Sequence, residues 1–255
     1  MAYAFDVIVV PSENALSVAN HISSKLDNSI IVRSTDDPRI EIASSIITIG
    51  DRAFIELPDH HENPVIASFI SYNAFYSASP QKRQNAKAIF IEPNPEDLAR
   101  KIVEVFGRSP DIGYIFGNKD YYFESLRLQK EINVVGVRYD DSALRSLNKL
   151  YRNKSIDGFY VSENRSVFNT SNILLVLESL YRNRLPAISS NSSLKGRGAV
   201  LTVYTQYNDI QELTIRMVQS KDIVTEFPTD NFPKSEFWLD RRLAKKISLH
   251  LEGIK

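Results

Sequence analysis

Short apolar runs alternate with stretches of helical periodicity along the whole chain. That is the pattern of a mostly parallel sheet with helices on both faces. Phe5 to Val10 predicts a buried strand, and Ala15, Val18, Ala19, Ile22 and Leu26 then mark one face of a helix. Pro11 and Ser12 form the turn between them. Ile30 to Arg33, Ile46 to Ile49, Pro64 to Ile70 and Lys87 to Ile91 predict further strands. After Ile49, Gly50 lets the backbone turn sharply through Asp51-Arg52-Ala53 into a short helix. The stretch from Ser71-Tyr72-Asn73 to Lys82-Arg83-Gln84-Asn85 is polar and reads as solvated surface.

Glu92-Pro93-Asn94-Pro95-Glu96-Asp97 combines a linker with a helix start: Asn94 as the cap, Pro95 at the first helical position, and acids near the positive helix end. Gly107 closes that helix. The plan then restarts, with strands at Ile112 to Phe116, Asn133 to Val137 and Gly158 to Val161. Between Ser171 and Arg182, the positions Ile173, Leu174, Leu177, Leu180 and Tyr181 give the clearest helix of the chain. Pro186 to Ser189 is a short strand or crossing, Ala199 to Tyr204 a strand, and Ile210, Leu213 and Met217 a helix stripe. Ile223 to Phe237, with Pro228 and Pro233, reads as an extended crossing, and Asp240 to Leu249 as a final short helix.

The fold class expected is therefore α/β: two Rossmann-like lobes with mostly parallel sheets and helices on both faces, joined by several crossings. One lobe takes residues 1–90 plus about 190–222, and the other 91–189 plus about 232–255. The crossings fall near 90–94, 186–190 and 223–237. A length of 255 residues suits this division, since domains cluster near roughly 100 to 150 residues.

Composition narrows the classes of function. With 43% apolar and 24% charged residues the chain is an ordinary globular one. Lys plus Arg and Asp plus Glu both number 31, so no net field draws it to nucleic acid or to an anionic membrane. No cysteine is present, which removes disulfides, thiolate metal sites and cysteine nucleophiles together. The first residues lack a basic segment, and Val7 to Val10 is too short for a signal-peptide core or a membrane span. The chain reads as cytosolic or already trimmed.

Motifs for catalysis are missing. Asp59-His60-His61-Glu62 could hold a divalent metal in principle, but metal-dependent phosphoesterases need further acids after other strands, and the cluster reads as a polar turn. The first strand is not followed by a Gly-x-Gly-x-x-Gly turn, and no P-loop occurs. The glycines of Lys195-Gly196-Arg197-Gly198 precede a strand instead of a helix, so a tight turn is the better reading. No Gly-x-Ser-x-Gly elbow occurs, and His21, His60, His61 and His250 are not spaced as triad members. No catalytic residue, metal or cofactor is expected.

In a doubly wound sheet, ligands lie outside the carboxyl ends of the strands. That rule nominates Pro11, Ser12, Gly50, Asp51, Ser71, Tyr72, Asn73, Gly117, Asn118, Ser162, Glu163, Asn164, Ser189 and Ser190. Turn chemistry alone explains most of these residue types equally well.

Three stretches carry a family resemblance. They are Ile46-Ile47-Thr48-Ile49-Gly50-Asp51-Arg52-Ala53 with Pro64-Val65-Ile66; Ser166-Val167-Phe168-Asn169-Thr170-Ser171-Asn172-Ile173-Leu174-Leu175 with Tyr181-Arg182-Asn183-Arg184-Leu185-Pro186; and Leu239-Asp240-Arg241-Arg242-Leu243-Ala244-Lys245-Lys246-Ile247. Together they resemble the ABC-transporter substrate-binding proteins related to tryptophan-binding and other aromatic amino-acid-binding components. The resemblance implies the type I periplasmic-binding-protein fold, two lobes closing on a small ligand between them, and its Phe168-Asn169 step adds Asn169 to the candidate ligand residues, among which Tyr121 also stands. It also implies a membrane permease as partner, and a periplasmic or lipoprotein location with a signal sequence absent from this sequence.

Ser71-Tyr72-Asn73 stands where relatives often have Asp-Pro, Asp240 where they have Asn, and Ser248 where they have Gly. Two readings follow: uptake of a small metabolite such as an amino acid, or a diverged sensor or interaction module signalling to a membrane partner. A ligand site filled by Tyr72, Tyr121 or Arg197 would favour the second.

Overall fold

The alternation of strand and helix is realised from one end of the chain to the other. The computed structural model describes residues 5–59, 62–153, 155–220 and 222–247. The first stretch runs β1 (Asp6–Val9), α1 (Leu16–Ser23), β2 (Ser29–Val32), β3 (Ser45–Ile49), α2 (Asp51–Glu56), β4 (Val65–Ile70), α3 (Tyr72–Ser77), α4 (Pro80–Gln84) and β5 (Ala86–Phe90). Next come α5 (Pro95–Phe106), β6 (Asp111–Phe116), α6 (Tyr121–Arg127), β7 (Asn133–Arg138), α7 (Ala143–Asn153), β8 (Gly158–Val161), α8 (Ile173–Arg182), β9 (Ala187–Ser189) and β10 (Leu201–Thr205). The chain then passes through α9 (Tyr207–Gln219), α10 (Ile223–Glu226), β11 (Asp230–Asn231), β12 (Ser235–Leu239) and α11 (Arg241–Lys246).

Two units result. Residues up to 91 with 206–234 form the first, and 92–205 with those from 235 onward form the second. The first holds a six-stranded sheet in the order β11-β5-β4-β3-β1-β2, parallel throughout. Successive residues of a strand face opposite sides, so the first sheet separates two cores. Val7, Val9, Ile46, Phe54, Phe75 and Phe90 pack on one side. Ile8, Val10, Ile47, Ile66 and Ile89 pack on the other with Ile210 and Met217 of α9.

The second unit has the order β12-β10-β9-β8-β6-β7, parallel except for β12, which runs antiparallel to β10. One of its cores gathers Ile115, Leu147, Phe159, Val161, Val176, Leu177 and Leu180. Gly136 on β7 is required by space: a Cβ there would lie 2.4 Å from the Phe123 ring.

Several expectations need correction. Residues 190–205 go with the second unit and not with the first lobe, because β10 pairs with β9 and β12, Leu201 opposite Ile188 and Leu239. The 223–237 segment is no uniform extended crossing. It holds α10, then β11 beside Ala88 and Ile89 of the first sheet, then most of β12 in the second. The polar stretch 71–85 is mostly helical. Ser71 and Ser79 accept from the backbone N–H groups of Ala74 and Lys82 as helix caps. Phe75 of α3 is fully buried.

Lys82 is buried too. Its Nζ donates to the Phe54 and Ile55 carbonyls near the end of α2, at 3.2 and 2.8 Å, and pairs with Asp59 at 3.2 Å. A residue that composition assigned to solvent thus closes a helix end whose carbonyls need donors. At the other end of the chain, Asp240 caps α11 through the Leu243 N–H. Ser248, Leu249 and His250 lie outside the described residues, as do His60 and His61.

Candidate functional site

Both sheets reverse their strand order once. In the first unit β1 lies between β2 and β3, and in the second β6 lies between β7 and β8. Connections leave in opposite directions from such a pair, which opens a crevice at the carboxyl ends of the strands. The candidate residues fall at these ends.

In the first unit the ends of β3 and β4 are tied together. Gly50, with φ of +86°, turns the chain out of β3 so that Asp51 can begin α2. The Asp51 carboxylate accepts from the Ser71 N–H at 2.7 Å and from the Ser71 hydroxyl at 2.8 Å. Ser12, after β1, is exposed. Tyr72 and Asn73 are half-buried at the start of α3. The Tyr72 ring lies 4.5 Å from Tyr76 and 4.9 Å from Phe90, with Phe232 beyond at 6.2 Å. Tyr76 donates to Asp230; burial first, and then that carboxylate, push its phenol well above the usual range.

In the second unit, Gly117 and Asn164 meet across the ends of β6 and β8: a Cβ on Gly117 would stand 3.3 Å from the Asn164 amide nitrogen. Asn164 uses its oxygen in a turn with Ser166. Asn118 accepts from Arg138. Gly117, Asn118 and Tyr121 line a groove of about 370 Å³ with Phe116, Asp120 and Arg138. Asn169 closes an exposed turn with Ser171 ahead of α8. Ser189 is fully buried; its hydroxyl donates to the Val161 carbonyl at 2.9 Å.

The second unit also holds a constellation that periodicity hid. Tyr114, Tyr122 and Tyr160 are fully or almost fully buried, with Tyr114 and Tyr160 stacked at 5.5 Å. The Tyr160 hydroxyl bonds to Ser190 at 2.8 Å, that of Tyr122 donates to the Pro93 carbonyl at 2.9 Å, and that of Tyr114 faces Asp120 at 3.3 Å. Glu92 is only 4% exposed and raises all three phenols, although burial is the larger cause in each. Asp120 caps α6 by accepting from the Phe123 N–H at 3.0 Å. Glu163, half-buried just past β8, has its carboxyl pushed up to about 7 by burial. Among the described residues, no three His, Asp or Glu side chains gather as a metal site.

Three solved structures share this architecture over nearly their whole length. A conserved domain protein from Vibrio cholerae matches at a TM-score of 0.64 and 14% identity, covering 98% of this chain and 96% of the other. A ligand-free, open substrate-binding protein with adhesive properties from Clostridium difficile gives 0.62 and 13%, with 99% and 98% covered. An ABC domain from Streptococcus pneumonia in complex with L-Trp gives 0.59 and 12%, with 97% and 96% covered. The chain has the type I periplasmic-binding-protein fold. At these identities the likeness is one of fold. No family model matches the sequence, and no curated protein matches it.

Within this fold the tyrosine and carboxylate groups escaped the sequence for definable reasons. Tyr114 and Tyr160 lie inside apolar strands, where an aromatic residue reads as core. Glu92 sits in a Pro-flanked linker that reads as solvated. Tyr121 was nominated while the buried neighbour is Tyr122, because the start of α6 was not placed to the residue. The Asp120 cap followed by Tyr-Tyr-Phe was the one local signal available.

Proposed function

We propose that this chain is a solute-binding protein, holding a small metabolite at the carboxyl ends of its strands and delivering it to the membrane permease of an ABC-type uptake system. The observation that carries the reading is the placement of polar side chains at the carboxyl ends of strands in both sheets, Asp51 and Ser71 after β3 and β4 in one and Ser162, Glu163 and Asn164 after β8 in the other. The fold likeness supports it, and the L-Trp complex of the streptococcal protein supports an amino acid as the ligand class. The role is binding without chemical conversion. The native location on this reading is the periplasm, or the cell surface as a lipoprotein.

A second reading, a sensor or interaction module, is favoured by one feature: Tyr72 and Tyr122 pack among aromatic side chains of their own units. A thermal-shift screen of the purified chain with amino acids, purines, sugars and short peptides separates the two. A ligand at 100 times its Kd adds about 2.7 kcal/mol to the folded state, which raises Tm by roughly 5–10 °C for a chain of this size. Uptake duty is abandoned if all four classes leave Tm unchanged.

A further inference from the structure

The chain carries 31 cations and 31 anions, but it does not spread them evenly. In the second unit, α11 presents Arg242 and Lys246, both exposed and four residues apart, on one side of the helix. They line a cavity of about 220 Å³ with Tyr181 from the end of α8 and with Gly196 and Gly198 of the turn before β10. Arg197 stands exposed between those glycines. Gly198, with φ of +118°, lets the turn lie against α8: a Cβ there would come 3.2 Å from the Leu177 side chain. Asp240 and Leu243 complete the lining, and the Asp240 carboxylate already accepts from the Leu243 N–H at 2.9 Å.

Arg197, Arg242 and Lys246 make no side-chain hydrogen bond or ion pair among the described residues. Like charges one helical turn apart repel each other, so the α11 pair costs stability until an anion is shared between them. The surface continues along α8 as apolar side chains. Leu174 lies seven residues, or two turns, before Tyr181 on one helix face. It is 68% exposed, Leu175 beside it 51%, and Tyr181 47%. Glu178, between them, is neutralised by Arg182 at 2.6 Å. Inorganic phosphate would fill the cavity and leave the leucines in water, as would a hydrophilic acidic segment. An anionic bilayer answers every part: phosphates for the cations, the headgroup zone for the tyrosine ring, and the acyl boundary for the leucines.

We propose that the α8 and α11 face of the second unit docks on the surface of an anionic phospholipid membrane, with a lipid phosphate in the cavity beside Arg242 and Lys246 and with Leu174 and Leu175 entering the headgroup layer. The contact goes beyond solute binding and does not depend on it, so either can fail alone. A peripheral contact built this way is reversible and weakens with salt.

Co-sedimentation of the full chain with lipid vesicles tests this. Vesicles of phosphatidylcholine alone should not retain it, and vesicles with about one-third phosphatidylglycerol should. Arg242→Gln combined with Lys246→Gln should lower partitioning onto the anionic vesicles about 10-fold or more, since each cation near such a surface adds to the attraction. Leu174→Ser combined with Leu175→Ser should lower it roughly 10-fold with the cations intact. Arg100→Gln, on α5 of the same unit and paired with Glu96 and Asp97, removes a charge elsewhere and should change nothing. Circular dichroism checks that each variant folds, and calorimetry with inorganic phosphate and with polyglutamate supplies the other anions. Retention that neither double variant weakens, or that Arg100→Gln weakens as much, overturns the face. Binding of phosphate or polyglutamate without binding of anionic vesicles overturns the membrane as partner, in favour of a free anion or an acidic protein segment. Equal retention on neutral and anionic vesicles, or none on either, also overturns it.

Discussion

The two units follow the same strand order and finish their strands differently. In the first, the polar groups after β3 and β4 satisfy one another, with both Asp51 oxygens accepting from Ser71. In the second, the hydroxyl and carboxylate after β8 find no such partner, and burial works against the Glu163 charge. A closed polar pair makes a strand end rigid. An open one costs stability. The difference separates a strand end whose polar groups satisfy one another from one that keeps an unbonded hydroxyl and a buried acid.

The largest test of this contrast is a control. Phe90→Ala removes a fully buried ring that packs on Tyr72, Phe75 and Phe232, and should cost about 3–5 kcal/mol in urea unfolding. Its effect is read as a fall in the urea midpoint without a change of slope.

Next in size is the pH dependence of stability. The Glu163 carboxyl rises from its ordinary value of 4.5 to about 7 in the folded chain, so between those values the folded state holds more proton than the unfolded. Stability contributed by this group is full below pH 4.5 and declines as pH rises to about 7, a loss on the order of 1–3 kcal/mol. Glu163→Gln should flatten that slope and match or exceed the wild type at pH 8. A slope unchanged by the substitution would mean that the acid is not buried as described.

Asp51→Ala should act in the opposite sense. Removing an acceptor of two bonds should cost about 1–2 kcal/mol at neutral pH, against no cost for neutralising Glu163. Equal losses from the two substitutions would erase the contrast between the units. Smallest of all, Arg182→Ala breaks an exposed pair with Glu178 on α8 and should change stability by less than about 0.5 kcal/mol.

Much of the fold was legible because the signals were local. The buried run of β1, the Asn94 and Pro95 start of α5 and the apolar stripe of α8 each follow from spacing and caps. The polar stretch 71–85 misled because Lys82 is buried only by virtue of the α2 carbonyls, which lie 27 and 28 residues away in sequence. β12 misled in another way. Its five residues form a strand only because β10 offers an edge, with Thr202 opposite Trp238. The candidate site was half visible: the strand-end rule found Asp51, Ser71, Ser162 and Asn164. It passed over Glu92, Tyr114, Tyr122 and Tyr160, whose meeting depends on which strands are neighbours.

Hydrophobic spacing, caps and turn residues along the chain determined the number and kind of most elements and hence the α/β class, since each of these acts over a few residues. Which strand lies beside which, which unit claims residues 190–205 and 223–237, and which acids become buried were settled only by the tertiary structure. Those outcomes depend on contacts between residues far apart in sequence, and the desolvation that tunes Glu163 exists only once the neighbouring strands have closed around it.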